Sequence, residues 1–190
     1  GMEALGVAGV QLEDQIWPKK CGHMSNKFVE PREVAERKVK AAVAARRDSD
    51  LLIIARTDAR GPLGMEEAMV RARMFMDAGA DMIFFDGPQS IDELKQICDA
   101  DIGPQMANMS ETGLTPILSA QELEDIGFKL TIWPSTTSRI AVRQVSDFLS
   151  HLKETGDSRP WLNRMASLEE TNTKLGLKDV KEFEDIVVGH

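Results

Sequence analysis

The feature that most constrains this chain is a register that recurs along it. A helix-like stretch ends near a glycine, and seven positions later a short apolar run ends. Gly6 leads to Glu13, Gly79 to Asp86 and Gly127 to Pro134. The pattern reads as a helix C-cap, then a strand buried on both faces, then a polar strand end. Two further apolar runs fit as strands: Leu51 to Ala55, ending at Arg56, and Gln105 to Ala107, ending at Asn108. Between the runs lie amphipathic stretches with apolar residues at helical spacing. These predict helices over Pro31 to Arg47, Met65 to Ala78, Ser90 to Cys98, Ser119 to Ile126 and Thr137 to Leu152. Ser119 with Glu122 gives a capping box.

Strands alternating with helices predict an α/β fold with a parallel sheet, in five βα units. An eight-stranded TIM barrel needs about 250 residues, and this chain has 190. The alternatives are an open five-stranded sheet or part of a (β/α)8 barrel. After Leu152 the pattern changes. A linker-like run, Thr155 to Pro160, precedes helical stretches at about Arg164 to Leu175 and Lys178 to Val187. The expected organisation is an α/β domain over residues 1–155 and a C-terminal helical extension over 156–190.

Composition removes several function classes. Lys and Arg total 23 against 31 Asp and Glu, a formal charge of -8. Such a chain lacks the basic surface that nucleic-acid phosphates or an anionic membrane require. No apolar run approaches the length of a membrane span, and the start has no signal-peptide pattern. Two cysteines are too few for a disulfide framework, so the expected compartment is the cytoplasm.

Glu13, Arg56, Asp86 and Asn108 stand at the carboxyl ends of four predicted strands. In α/β barrels that rim carries the chemistry; the bland alternative is a set of capping residues at loop entries. The densest polar segment, Glu13 to His23, follows a strand directly. In it Cys21 stands beside Lys19 and Lys20, whose charge favours a thiolate able to exchange protons near neutral pH. A strand-end carboxylate such as Glu13 suits a hard divalent cation. Cys98 reads as core packing.

Gln11-Leu12-Glu13-Asp14-Gln15 followed by Lys19-Lys20-Cys21-Gly22-His23 resembles the signature loop of the isocitrate lyase and phosphoenolpyruvate mutase superfamily. Ile54-Ala55-Arg56-Thr57-Asp58-Ala59 resembles its next strand end, and Ala107 to Pro116 its later asparagine loop. The resemblance implies the last five βα units of a barrel whose earlier strands are missing from this sequence. It also implies a Mg²⁺-dependent carbon–carbon lyase, with Mn²⁺ as a substitute. The substrate would be a 2-hydroxy di- or tricarboxylate of the 2-methylisocitrate or dimethylmalate type, cleaved to a 2-oxoacid and a second carboxylate. An oxaloacetate hydrolase or decarboxylase is the alternative within the superfamily. An inactive domain that oligomerises or binds a carboxylate is the alternative outside catalysis.

Carried over by position, Cys21 would protonate the leaving carbanion with Lys20 beside it, and Glu13 would hold the metal. Gly22 and His23 would offer backbone N–H groups to a substrate carboxylate. Arg56 would pair with a carboxylate in two-pronged fashion; its structural alternative is to anchor Asp58 or Asp86. Asn108, Ser110, Glu111 and Thr136 would shape a second carboxylate pocket. Asp86 stands where the superfamily's lyases usually carry Glu, which alters substrate choice. The superfamily's principal metal-binding aspartates lie on strands absent here, so the chain as written is expected to be a poor catalyst. The C-terminal helices resemble a segment exchanged between subunits, which implies a homotetramer built as a dimer of dimers.

Overall fold

The computed structural model describes residues 1–20 and 26–189. The five expected strands form: β1 (Gly9–Glu13), β2 (Leu52–Thr57), β3 (Met82–Phe85), β4 (Gln105–Asn108) and β5 (Leu130–Ile132). They make one sheet in chain order, β1-β2-β3-β4-β5, and every neighbouring pair is parallel. Sequential parallel pairing is what βα units produce, and it is the arrangement of a TIM-type (β/α)8 barrel over five of its units.

The helices between them are α1 (Arg32–Ala45), α3 (Met65–Asp77), α4 (Ile91–Asp99) and α5 (Ala120–Ile126). A short turn of helix, α2 (Arg60–Leu63), was not expected; Gly61 and Pro62 obscure any helical period in so brief a segment. Gly79 follows α3 at φ +98°, and a Cβ there would stand 3.1 Å from Val43 of α1. The residue therefore supplies both the left-handed backbone and the close helix approach that begin β3. Gly6 and Gly127 also have positive φ, at 72° and 122°.

Side chains alternate between two faces of the sheet. One face is buried under helices: Ala55, Ile83, Phe85 and Ala107 pack against Val39, Ala72, Phe75, Leu94, Ile97 and Leu123. The opposite face carries a smaller apolar layer of Ile54, Met82, Phe84 and Met106, with Ile132 against it. Two positions beyond Ile54, Phe84 and Met106 stand the polar residues Arg56, Asp86 and Asn108, which lie at the site.

The chain divides into two compact units, residues 1–136 and 137–190. The second holds nearly all of α6 (Thr136–Thr155), with α7 (Leu168–Lys174) and α8 (Leu177–Val188). Within it Trp161 stacks edge-on against Phe148 at 5.6 Å and lies under the Arg164 guanidinium at 4.8 Å, a packing role. In the first unit Trp17 is exposed. Among the described residues no helix is long and apolar enough to cross a membrane.

Candidate active site

Because all five strands run parallel, their carboxyl ends share one edge. Glu13 is in register with Arg56, and Asn108 with Ile132. Asp86 follows β3 directly and donates its N–H to the Thr57 carbonyl at 3.0 Å. Arg56 is the centre of the cluster. Its Nε and a terminal nitrogen each lie 2.8 Å from an oxygen of Asp58, a two-pronged pair. The same terminal nitrogen is 3.2 Å from Asp86 Oδ1, and Nε is 3.5 Å from Glu13 Oε2. The guanidinium sits 5.2 Å over the Phe84 ring, so the apolar layer below supports it. The anchoring of Arg56 by Asp58 and Asp86 is therefore present.

Three further residues, with no role expected from their place in the sequence, complete the cluster. Lys27 places its ammonium 3.3 Å from Asp58 Oδ1 and 3.2 Å from Asp86 Oδ2. Gln15 donates to Asp58 Oδ1 at 3.0 Å and exchanges two 2.9 Å hydrogen bonds with the backbone of Lys20. Asp14 accepts from the Asp58 N–H and the Thr57 hydroxyl, both at 2.8 Å, and from Arg71 at 3.2 Å. Asp58 follows Arg56 by two positions on the same face, a spacing visible in the sequence. Lys27 arrives by a path no periodicity reveals. Residues 26–30 return antiparallel beside 14–16, through Ile16 N–H to the Phe28 carbonyl and Glu30 N–H to the Asp14 carbonyl.

Burial and charge oppose one another here. Burial raises the Asp58 pKa, but the Arg56 hydrogen bond and charge, with Lys27, bring it below the ordinary range. For Asp86 burial wins over the attraction of Arg56 and Lys27, and its pKa rises. Burial likewise raises Asp14, against hydrogen bonds from Asp58 N–H and Thr57.

The other predicted residues fall as follows. Lys20 donates from Nζ to the Asn26 carbonyl at 3.0 Å. Cys21, Gly22 and His23 lie outside the described residues. Asn108 carries a buried Oδ1 with no hydrogen-bond partner among the described residues. Ser110 is buried, and its carbonyl accepts from Gly113 N–H at 2.8 Å. The Thr136 hydroxyl donates to the Glu111 carboxylate, so two residues 25 positions apart meet.

A Mg²⁺ site is a separate question. Mg²⁺ asks for near-octahedral oxygens, with some from carboxylates. The Glu13 carboxylate is already 3.1 Å from Lys19 Nζ and 3.5 Å from Arg56. Among the described residues no three of His, Cys, Asp and Glu gather to hold a metal. The described residues do not fit the cation by themselves.

Comparison with known proteins decides the family. A family profile described as phosphoenolpyruvate phosphomutase matches residues 1–153. The chain belongs to the phosphoenolpyruvate phosphomutase family. Among relatives of this family, 2,3-dimethylmalate lyase of Eubacterium barkeri is 40% identical over 182 residues, 96% of this chain and 63% of the relative. Probable 2-methylisocitrate lyase 1 of Corynebacterium glutamicum is 43% identical over 187 residues, 96% of this chain and 60% of the relative. A solved oxaloacetate acetylhydrolase, in complex with 3,3-difluorooxalacetate, superposes with a TM-score of 0.90 at 33% identity. That match covers 97% of this chain and 63% of that one. The chain thus spans less than two thirds of the phosphomutase-family proteins it matches.

Proposed function

We propose that the rim binds a small di- or tricarboxylate and serves carbon–carbon bond cleavage of the 2-methylisocitrate or dimethylmalate type. The observation that carries this reading is the clustering of Glu13, Arg56 and Asp86 at one sheet edge, with Arg56 as the cation able to pair with a carboxylate. The names of the relatives support the choice of reaction.

In this reading Arg56 holds one carboxylate of the substrate in two-pronged fashion. Asn108, Ser110 and Glu111 shape the pocket for the second, with Thr136 beside it, and the backbone N–H groups of Gly22 and His23 are offered to a substrate carboxylate. When the hydroxyl proton passes to solvent and the carbon–carbon bond breaks, one fragment becomes a 2-oxoacid. The other keeps the bonding electron pair as a carbanion, and the Cys21 thiol gives it a proton. Lys20 stabilises the thiolate that remains. Asp86, one methylene shorter than Glu, leaves room that favours a particular substrate. A requirement for Mg²⁺ or Mn²⁺ enters through the family alone. The C-terminal helices, 156–190 in the proposed division, would be exchanged between subunits of a homo-oligomer.

Oxaloacetate hydrolysis is the second reading, supported by the acetylhydrolase likeness. One experiment separates the readings. The protein is incubated with 2-methylisocitrate, 2,3-dimethylmalate and oxaloacetate, with Mg²⁺ and with chelator, and pyruvate and oxalate are quantified. Slow release of pyruvate from the first or the second, cation-dependent and lost in Cys21→Ser, is the expected result. Oxalate from oxaloacetate favours the second reading. No product and no oxalate binding by calorimetry would overturn both.

A further inference from the structure

Lys27 is among the most buried cations of the first unit, with its side chain 5% exposed. It lies between Asp58 and Asp86, which are 0% and 2% exposed. Its Cε is 3.4 Å from the place a Cβ would take at Gly61, so the backbone of α2 leaves space for it. Stability is a weak reason for such an arrangement. Buried ion pairs roughly break even against apolar residues of similar volume.

The division of oxygens gives a better reason. Asp86 turns Oδ1 to Arg56 and Oδ2 to Lys27. Asp58 Oδ1 is shared by Arg56, Lys27 and Gln15, while Oδ2 takes Arg56 Nε. Two cations and two carboxylates therefore close a balanced ring. A ligand carboxylate that takes the Arg56 terminal nitrogen must displace Asp86 Oδ1. Without Lys27, that exchange would leave Asp86 buried, ionised and unpaired, which is costly. With Lys27, Asp86 keeps one ion pair throughout.

We propose that Lys27 is a positioning residue for carboxylate binding: by holding Asp86 and Asp58 it lets the Arg56 guanidinium exchange Asp86 for a carboxylate of the ligand. This rests on the reading of the rim as a carboxylate site. It assigns Lys27 no contact with the ligand.

The test is calorimetric titration of the full chain with oxalate, for the parent protein, Lys27→Met and Lys27→Arg, with circular dichroism as the check on folding. Oxalate affinity is expected to fall at least tenfold in folded Lys27→Met, and to return to within about threefold of the parent in Lys27→Arg. Folded Lys27→Met that binds oxalate as tightly as the parent overturns this proposal alone. A parent that does not bind oxalate overturns the carboxylate-site reading, and this proposal with it. Should Lys27→Met not fold, Lys27→Gln, which keeps two N–H donors without the charge, takes its place under the same criteria.

Discussion

Glu67 shows how one side chain can tie pH to stability. It accepts from Arg32 Nε of α1 and from Arg71 Nε of α3, each at 2.8 Å. Arg32 above all, with help from Arg71, holds its pKa down to about 2 from an ordinary 4.5. A folded-state pKa below the unfolded one contributes stability that is present above pH 4.5 and is lost as pH falls toward 2. The urea midpoint of the protein should therefore drop over that window, and Glu67→Gln should flatten part of the drop. An unchanged profile in the variant would contradict the assignment. Cys98 makes a second residue-scale case. Burial, helped by Asp99, pushes its thiol up to about 11, and thiolate is the reactive form. Iodoacetamide at pH 8 should label Cys98 slowly in the native protein and rapidly in urea, as read by peptide mass spectrometry. Legibility at this scale followed position. Glu13, Arg56, Asp86 and Asn108 were readable because each ends an apolar run. Lys27 was not, because its place depends on a chain reversal beside residues 14–16 that carries no periodic signal.

At the scale of elements, the sequence was most informative where local chemistry fixes an end. Ser119 and Glu122 were expected to form a capping box, and both reciprocal bonds are present at the start of α5. Ser90 caps α4 by accepting from Glu93 N–H at 3.1 Å. The Glu93 carboxylate is itself held by Arg60, at 2.6 Å, and by Gln89 N–H, at 2.7 Å. Losing a cap costs about 1 kcal/mol. Ser90→Ala should lower the unfolding free energy by about that amount, measured by urea titration, with the slope unchanged. A larger loss would mean that the hydroxyl also supports the Glu93 cluster. The strands were legible for the reason that makes them strands: buried on both faces, they read as short unbroken apolar runs. Helix α2 was not legible, since four residues containing Gly and Pro show no period.

At the scale of the whole molecule, the five-unit order was predictable because consecutive βα units place each strand beside the last. The second unit was legible as helical, but its surroundings were not. It exposes Leu168, Leu175, Phe183 and Ile186, at 65% to 80% of their surface. Burying each such side chain in a subunit contact would contribute about 1.5–3 kcal/mol. Sedimentation equilibrium should show an oligomer, and the pair Phe183→Glu with Ile186→Glu should shift it toward monomer. A parent chain that stays monomeric at all concentrations would remove the subunit-exchange proposal.

The bonded path from Arg32 through Glu67, Arg71 and Asp14 to the backbone of Asp58 has a practical consequence. It joins the outer surface of the helix layer to the acid that grips Arg56. If the rim binds a carboxylate as proposed, laboratory evolution toward a new substrate is expected to accumulate changes at Arg32 and Glu67 as well as around Arg56 itself. If Arg56 meets the ligand as proposed, a small shift of that outer girder would re-aim the guanidinium without altering any group in the proposed site.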